Sequence, residues 1–169
     1  EARKEISASL SLTQRVIHEI PPALLKATSA TKDPWLFFYE DFLASYDPKF
    51  RKEAGVYFTP LEVVRCQVRL IDEILNKQLG RKMGFVEAGV STLDPAVGTG
   101  TYLLGIVEHS LARVEKEEGP GAVKGGARSL AHNLHGFEWM VGPYSVAQLR
   151  FSQALTKQGI SLPSTGPGI

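Results

Sequence analysis

The sequence predicts an α/β fold, a parallel sheet with helices packed against it, and three features carry that prediction. Strand-length apolar runs alternate with longer stretches of helical periodicity in the second half of the chain. The run Val90 to Leu93 breaks into Asp94-Pro95 and a turn with glycines at 98 and 100, and a helical pattern opens directly afterwards. The same order then repeats, with a strand over Asn133 to Phe137 ending at Glu138 and a helix from about Pro143 to Lys157. Ligands of such sheets bind at the carboxyl ends of the strands. Two strands are too few for a complete sheet, so the sequence is expected to be a piece of a larger fold. The absence of a starting methionine at Glu1 and the loose Leu162 to Ile169 stretch add to that expectation.

From the amino terminus, Leu12, Val16, Ile17 and Ile20 recur at helical spacing before Pro21-Pro22 interrupts, and Ala23 to Ala27 can restart a short helix. Thr31 to Pro34 is a break. Trp35 to Tyr46 is so dense in aromatics that a helix there must be buried on more than one side, in this domain or against a neighbour. Asp47-Pro48 turns the chain, and a charged link leads to Gly55-Val-Tyr-Phe-Thr-Pro60. Thr59 can cap the next helix with Pro60 in its first position. That helix runs to about Leu75, with Val63, Val64, Gln67, Val68, Ile71 and Leu75 on or near its buried side. Residues 76–89 form a polar, glycine-containing connection. The helix after the glycine turn spans about Thr101 to Lys116, and residues 117–129, rich in glycine, form a flexible surface loop.

Composition excludes more than it selects. At 169 residues the chain is about one domain, and 43% hydrophobic content is enough for a core. A net charge of +1 argues neither for nor against nucleic acid. The single Cys66 excludes an internal disulfide framework and fits a reducing, cytoplasmic setting. No apolar run is long enough to span a bilayer, and no signal peptide is visible. His18, His109, His132 and His135 lack metal-ligand spacing with Cys66 or with one another, so no metal site is expected.

The candidate chemistry gathers in three blocks. In Leu93-Asp94-Pro95-Ala96-Val97-Gly98-Thr99-Gly100, a strand breaks into a turn whose glycines let the backbone approach a ligand. The free N–H groups of the next helix then point at that ligand. The dinucleotide fingerprint would want a third glycine at 103, where Leu103 stands, and no Gly-Lys-Ser/Thr comes after for a phosphate loop. An acid beside such a turn suits a positive or hydroxyl-bearing nucleotide-type ligand better than a pyrophosphate. Glu138, at the tip of the second strand, can accept hydrogen bonds from two ribose hydroxyls. Trp139 and Met140 either flank a purine ring or simply pack. In Tyr57-Phe58-Thr59-Pro60, a helix start offers a hydroxyl and a backbone N–H to a carboxylate, or else an aromatic plug and a cap.

Together, Gly-Val-Tyr-Phe-Thr-Pro (55–60), Asp-Pro-Ala-Val-Gly-Thr-Gly (94–100) and His-Gly-Phe-Glu (135–138) resemble the N6-adenine DNA methyltransferases of restriction–modification systems. The Thr-Pro block precedes the glycine block, as in the gamma group of that family. Phe-Tyr-Glu-Asp-Phe-Leu-Ala-Ser-Tyr-Asp-Pro (38–48) looks more specifically like the single-polypeptide Type ISP enzymes. The resemblance implies the Rossmann-like methyltransferase fold, here its cofactor-binding half, with S-adenosylmethionine as cofactor. Tyr57, Thr59 and Pro60 would border the methionine end of the cofactor. Asp94, Pro95, Ala96, Gly98 and Gly100 would wrap its centre, and Glu138 with Trp139 would take the nucleoside. It also implies DNA as the parent's partner, together with helicase-like and target-recognition regions of the same polypeptide. Residues 1–33 would be a helical lead-in or coupler, and 34–169 the cofactor-binding part. The family's Asn/Asp-Pro-Pro-Tyr/Phe motif, which holds the flipped adenine, does not occur in these residues, so no catalytic residue is assigned. The competing readings are an RNA or protein-glutamine amino methyltransferase, and a non-catalytic coupler that keeps the fold.

Overall fold

Helix packing around a short parallel sheet sets the architecture, seen in a computed structural model that describes residues 59–160 and 168. The elements are helix α1 (Leu61–Lys77), a 3-10 turn (Gly84–Val86), strand β1 (Thr92–Asp94), helix α2 (Thr101–Glu118), a second 3-10 turn (Pro120–Ala122), helix α3 (Val123–Asn133), strand β2 (Leu134–Gly136) and helix α4 (Val141–Thr156). The two strands pair in parallel, with Thr92 opposite Leu134, Leu93 opposite His135 and Asp94 opposite Gly136. Leu134 and Gly136 turn inward while His135 is exposed, the alternation expected of a pleated strand. The expected lead-in (1–33), the aromatic segment (35–46) and Tyr57 lie outside the described residues.

The core sits between α1, α2, α3 and α4, with Leu103, Leu130, Leu134, Phe151 and Leu155 wholly removed from solvent. Helix α2 is its axis. A Cβ on Gly105 would lie 2.8 Å from Val64 Cγ1, so the Val64 and Val68 side chains of α1 pack directly onto the α2 backbone there. Pairs along the two helices rise together in number: Gln67 with Tyr102, Val64 and Val68 with Gly105, and Asp72 with His109 and Arg113. The two helices therefore run parallel, and both amino termini lie at the end where β1 gives out.

The buried stripe of α1 is narrower than its apolar pattern suggests. Val64 and Val68 are buried and Leu75 packs partly against the core, but Val63 and Ile71 are exposed. Val64, Val68 and Asp72 form the buried line that packs on α2, and Gln67 reaches Tyr102 beside it. Asp72 takes the place of an apolar residue on that line. Its Oδ2 accepts from Arg113 Nη1 at 2.9 Å and pairs with His109 Nε2 at 3.0 Å, so the charge is compensated. Burial acts to lower the pKa of the Arg113 guanidinium, but hydrogen bonds and charge from Glu117 and Asp72 outweigh it and raise the pKa overall. Gly84, at φ +58°, passes directly beside this cluster.

Several other boundaries depart from the sequence reading, among them the start of α4, at Val141 rather than about Pro143. Residues 117–129 are not a flexible loop: Pro120 opens a 3-10 turn, and α3 takes up most of the rest. Its glycine pair carries a propensity cost, which packing outweighs, because Gly126 sits against Val114 and Leu111 while Ala127 and Leu130 are fully buried. Strand β1 starts two residues late and includes Asp94, because the Val90 amide donates to the Glu87 carbonyl in a turn. β2 begins at Leu134, because Asn133 closes α3 and its Nδ2 donates to the carbonyls of Phe85 and Glu87. Helix α1 begins one residue after Pro60, whose carbonyl accepts from the Val63 and Val64 amides, and Thr59 makes no side-chain cap.

The tightest backbone constraint is Gly84, where a Cβ would fall 1.9 Å from Asp72 Oδ1. Gly84→Ala is expected to cost about 2–4 kcal/mol, from left-handed backbone strain and displacement of a paired carboxylate. A denaturant melt that leaves the variant within about 0.5 kcal/mol of the parent, the range of ordinary surface substitutions, would contradict this.

Candidate functional site

Asp94 is the last residue of β1, and from it the chain turns sharply into α2. Its Oδ1 accepts the Ala96 amide at 3.0 Å, a local turn that holds the carboxylate in place. Its Oδ2 is buried and takes no hydrogen bond among the described residues. A buried acceptor without a partner is costly, and it marks where a donor belongs. Pro95 and Ala96 are exposed, and Val97 drops into the core.

Gly98 and Gly100 are both left-handed, at φ +55° and +84°. They differ in surroundings. A Cβ on Gly98 would meet nothing within 4 Å, so the backbone there is open to an incoming group. Gly100 is buried and faces the protein instead, where a Cβ would stand 3.3 Å from that of Ala147. The Gly100 amide donates to the Val97 carbonyl at 2.9 Å, and α2 begins with no side-chain cap on its first N–H groups. Those groups carry the positive end of the helix dipole.

The second strand supplies the other wall. Phe137 N–H donates to the Asp94 carbonyl at 2.9 Å, and Val97 N–H donates to the Phe137 carbonyl at 3.0 Å. Gly136 admits no side chain, since a Cβ would be 2.1 Å from Val97 Cγ2. Glu138 comes next. Its Oε2 accepts the Gly98 amide and its Oε1 accepts the Met140 amide, each at 2.9 Å. One carboxylate thereby ties the glycine turn to the start of α4. Each of its oxygens keeps a further lone pair for a ligand hydroxyl.

The structure thus brings Asp94, Pro95, Ala96, Gly98, Gly100 and Glu138 to one edge of the sheet. Trp139 adjoins them in sequence but stands 83% exposed, so it is not a packing residue. Thr59 is half-buried and Pro60 exposed at the start of α1, which the parallel pairing of α1 with α2 brings to the same end of the fold. Tyr57 is outside the described residues. Sequence reasoning included Gly136 in the 135–138 block without giving it a role, and it missed Ala147 and Arg150. The guanidinium of Arg150, a side chain only 6% exposed, donates through Nη1 to the Thr99 carbonyl inside the turn. The spacing Pro143, Ala147, Arg150, Phe151 tracks one helix face and was the available signal. Among the described residues, no helix is long and apolar enough to cross a membrane.

An acidic strand end, an open glycine backbone and an uncapped helix start thus put acceptors for donor groups and donors for an anion at one sheet edge. Comparison with known proteins narrows the family. The N-6 DNA Methylase family matches residues 32–152. No curated protein matches the sequence. Among solved structures, the DrdV–DNA complex aligns with a TM-score of 0.59 at 26% identity, over 73% of this chain and 11% of that one. The ATP-dependent Type ISP restriction-modification enzyme LlaBIII bound to DNA gives 0.60 at 23%, over 73% and 8%. A nuclease-deletion mutant of the Type ISP enzyme LlaGI, in complex with a DNA substrate mimic, gives 0.54 at 23%, over 82% and 14%. This chain therefore spans about a tenth of the length of those enzymes. With the match covering most of its length and its fold shared with Type ISP restriction–modification enzymes, the chain belongs to the N-6 DNA methylase family.

Proposed function

We propose that these residues are the S-adenosylmethionine-binding part of an adenine-N6 DNA methyltransferase, within a Type ISP-like restriction–modification enzyme. The observation that carries this reading is the buried Oδ2 of Asp94, without a partner among the described residues, beside a glycine backbone open to solvent. A family that generally uses S-adenosylmethionine fits that donor set, because this cofactor brings an ammonium, two ribose hydroxyls and a carboxylate to one site. When bound, it supplies a methyl group on a sulfonium, an electrophile that a neutral amine can attack.

The chain's own residues bind and orient. Asp94 offers its free oxygen to a ligand N–H or O–H. The uncapped first turn of α2 favours the carboxylate, with Thr59 and Pro60 bordering the same end. Gly98 lets the backbone approach the middle of the ligand. Glu138 has lone pairs left for the ribose hydroxyls, and the exposed Trp139 indole offers a face for the purine. Neither carboxylate takes a proton from the substrate in this scheme. Recognition of the target base and alignment of its amine belong to regions carrying the Asn/Asp-Pro-Pro-Tyr/Phe motif, which is not found among these residues. DNA, helicase-like and target-recognition regions are partners of the parent polypeptide under this proposal, and the fold is the cofactor half of a larger sheet. The lone, exposed Cys66 suits a cytoplasmic setting.

Calorimetric titration with S-adenosylmethionine should show binding that Asp94→Ala and Glu138→Ala each weaken by about 1–3 kcal/mol, roughly 5- to 150-fold, with unpaired polar partners left behind. No binding by the folded chain, or binding indifferent to both substitutions, would defeat the proposal. The chain alone should transfer no methyl group to adenine in duplex DNA. Radiolabel transfer to N6 by the purified chain would show that the catalytic assignment is wrong.

A further inference from the structure

We infer that Arg150 is a positioning residue that holds the Thr99–Gly100 peptide in the orientation the cofactor turn needs, an inference that rests on the proposed cofactor site. Among the described residues, the turn is held from outside by the segment after β2. Val97 N–H is held by the Phe137 carbonyl, Gly98 N–H by Glu138, and the Thr99 carbonyl by the Arg150 guanidinium. An anionic acceptor and a cationic donor, both from residues 138–150, thus grip the Val97–Gly98 and Thr99–Gly100 peptides of one short turn.

The grip on Thr99 matters because its neighbour is a glycine. Gly100 has φ +84°, a region glycine enters freely, and it has no Cβ to resist rotation of the peptide before it. Without a partner on the carbonyl side, the Thr99–Gly100 peptide can flip and break the Gly100 N–H bond to the Val97 carbonyl. A flip would also aim a carbonyl dipole against the uncapped start of α2, where an anionic ligand group is to be received. Ala147, one turn before Arg150 on the same face of α4, is small enough to let Gly100 close onto the helix. The guanidinium can then reach Thr99 from within the protein while staying only 6% exposed. A buried guanidinium is an expensive way to occupy a core position, and a planar, permanently charged fork fixes an acceptor better than a neutral side chain can. Helix α4 thus backs the turn and sets its shape.

The test compares the parent chain with Arg150→Met, which keeps the stem but not the donors, and Arg150→Lys, which keeps a charge and a single donor. Amide hydrogen exchange is read residue by residue without ligand, and S-adenosylmethionine affinity is read by calorimetry. Arg150→Met should speed exchange at the Gly100 amide and weaken binding, each by about tenfold or more, as loss of a charge-assisted hydrogen bond implies. The inner turns of α2 and α3 should keep their protection, and Arg150→Lys should recover part of both losses. Unchanged Gly100 exchange in Arg150→Met, or exchange raised evenly over α1 to α4, would overturn the inference. Should Arg150→Met fail to fold, Arg150→Lys against the parent carries the same test, with a smaller change expected at Gly100 alone. A parent chain that binds no cofactor would strike the proposed function, while the exchange arm would still decide the role of Arg150.

Discussion

The carboxylate of Glu138 is the contact on which the rest of the site depends. It lies forty residues from Gly98 in sequence, yet it accepts the Gly98 amide with one oxygen and the Met140 amide with the other. Each is a hydrogen bond to a charged group, worth about 1.5–3 kcal/mol, and the two share one side chain. Through it, the turn after β1 and the turn after β2 become one piece of structure. The strand register makes this possible, because pairing Asp94 with Gly136 brings the two strand ends level. Gly136 makes it possible again, because any side chain there would collide with Val97.

The helices behind the sheet serve the same end. α1 and α2 run parallel and close, with Gly105 as the contact point and the Asp72, His109 and Arg113 cluster at their far ends. Parallel packing aligns their dipoles, so two helix starts face the same edge as the strand ends. Antiparallel packing would have set a negative helix end beside Asp94. Helix α4 packs under the glycine turn through Ala147 and Arg150. The candidate site is thus bordered by elements from both before and after β2.

Much of this was legible in the sequence, and the exceptions have physical causes. Asp94, Gly98, Gly100 and Glu138 announced themselves because turn chemistry is local: an acid, a proline and two glycines at fixed spacing leave few backbone choices. α3 escaped because Gly125 and Gly126 speak against a helix locally, while the contacts of Gly126 with Val114 and Leu111 that favour one are tertiary. The start of α1 was off by one residue because Thr-Pro suits either a cap and first turn or the two positions before a helix. Arg150 escaped because an arginine in an amphipathic helix ordinarily reads as solvated, and only its alignment with Ala147 and Phe151 marks the buried face. Asp72 escaped likewise, since its partners lie on another helix. The roles written onto Thr59, Pro60 and Trp139 rest on resemblance, and the structure contributes their positions and exposure.

The central claim is that the edge joining Asp94, Gly98 and Glu138 receives S-adenosylmethionine. The most direct measurement is nuclear magnetic resonance of the isotope-labelled chain during titration with S-adenosylhomocysteine, the demethylated product form. Saturable shifts at the Gly98 and Gly100 amides and the Trp139 indole, with Gly125 and Gly126 of α3 unmoved, are the expected result. Shifts centred on α3 or on the far ends of α1 and α2, or none at ligand excess, would contradict the claim.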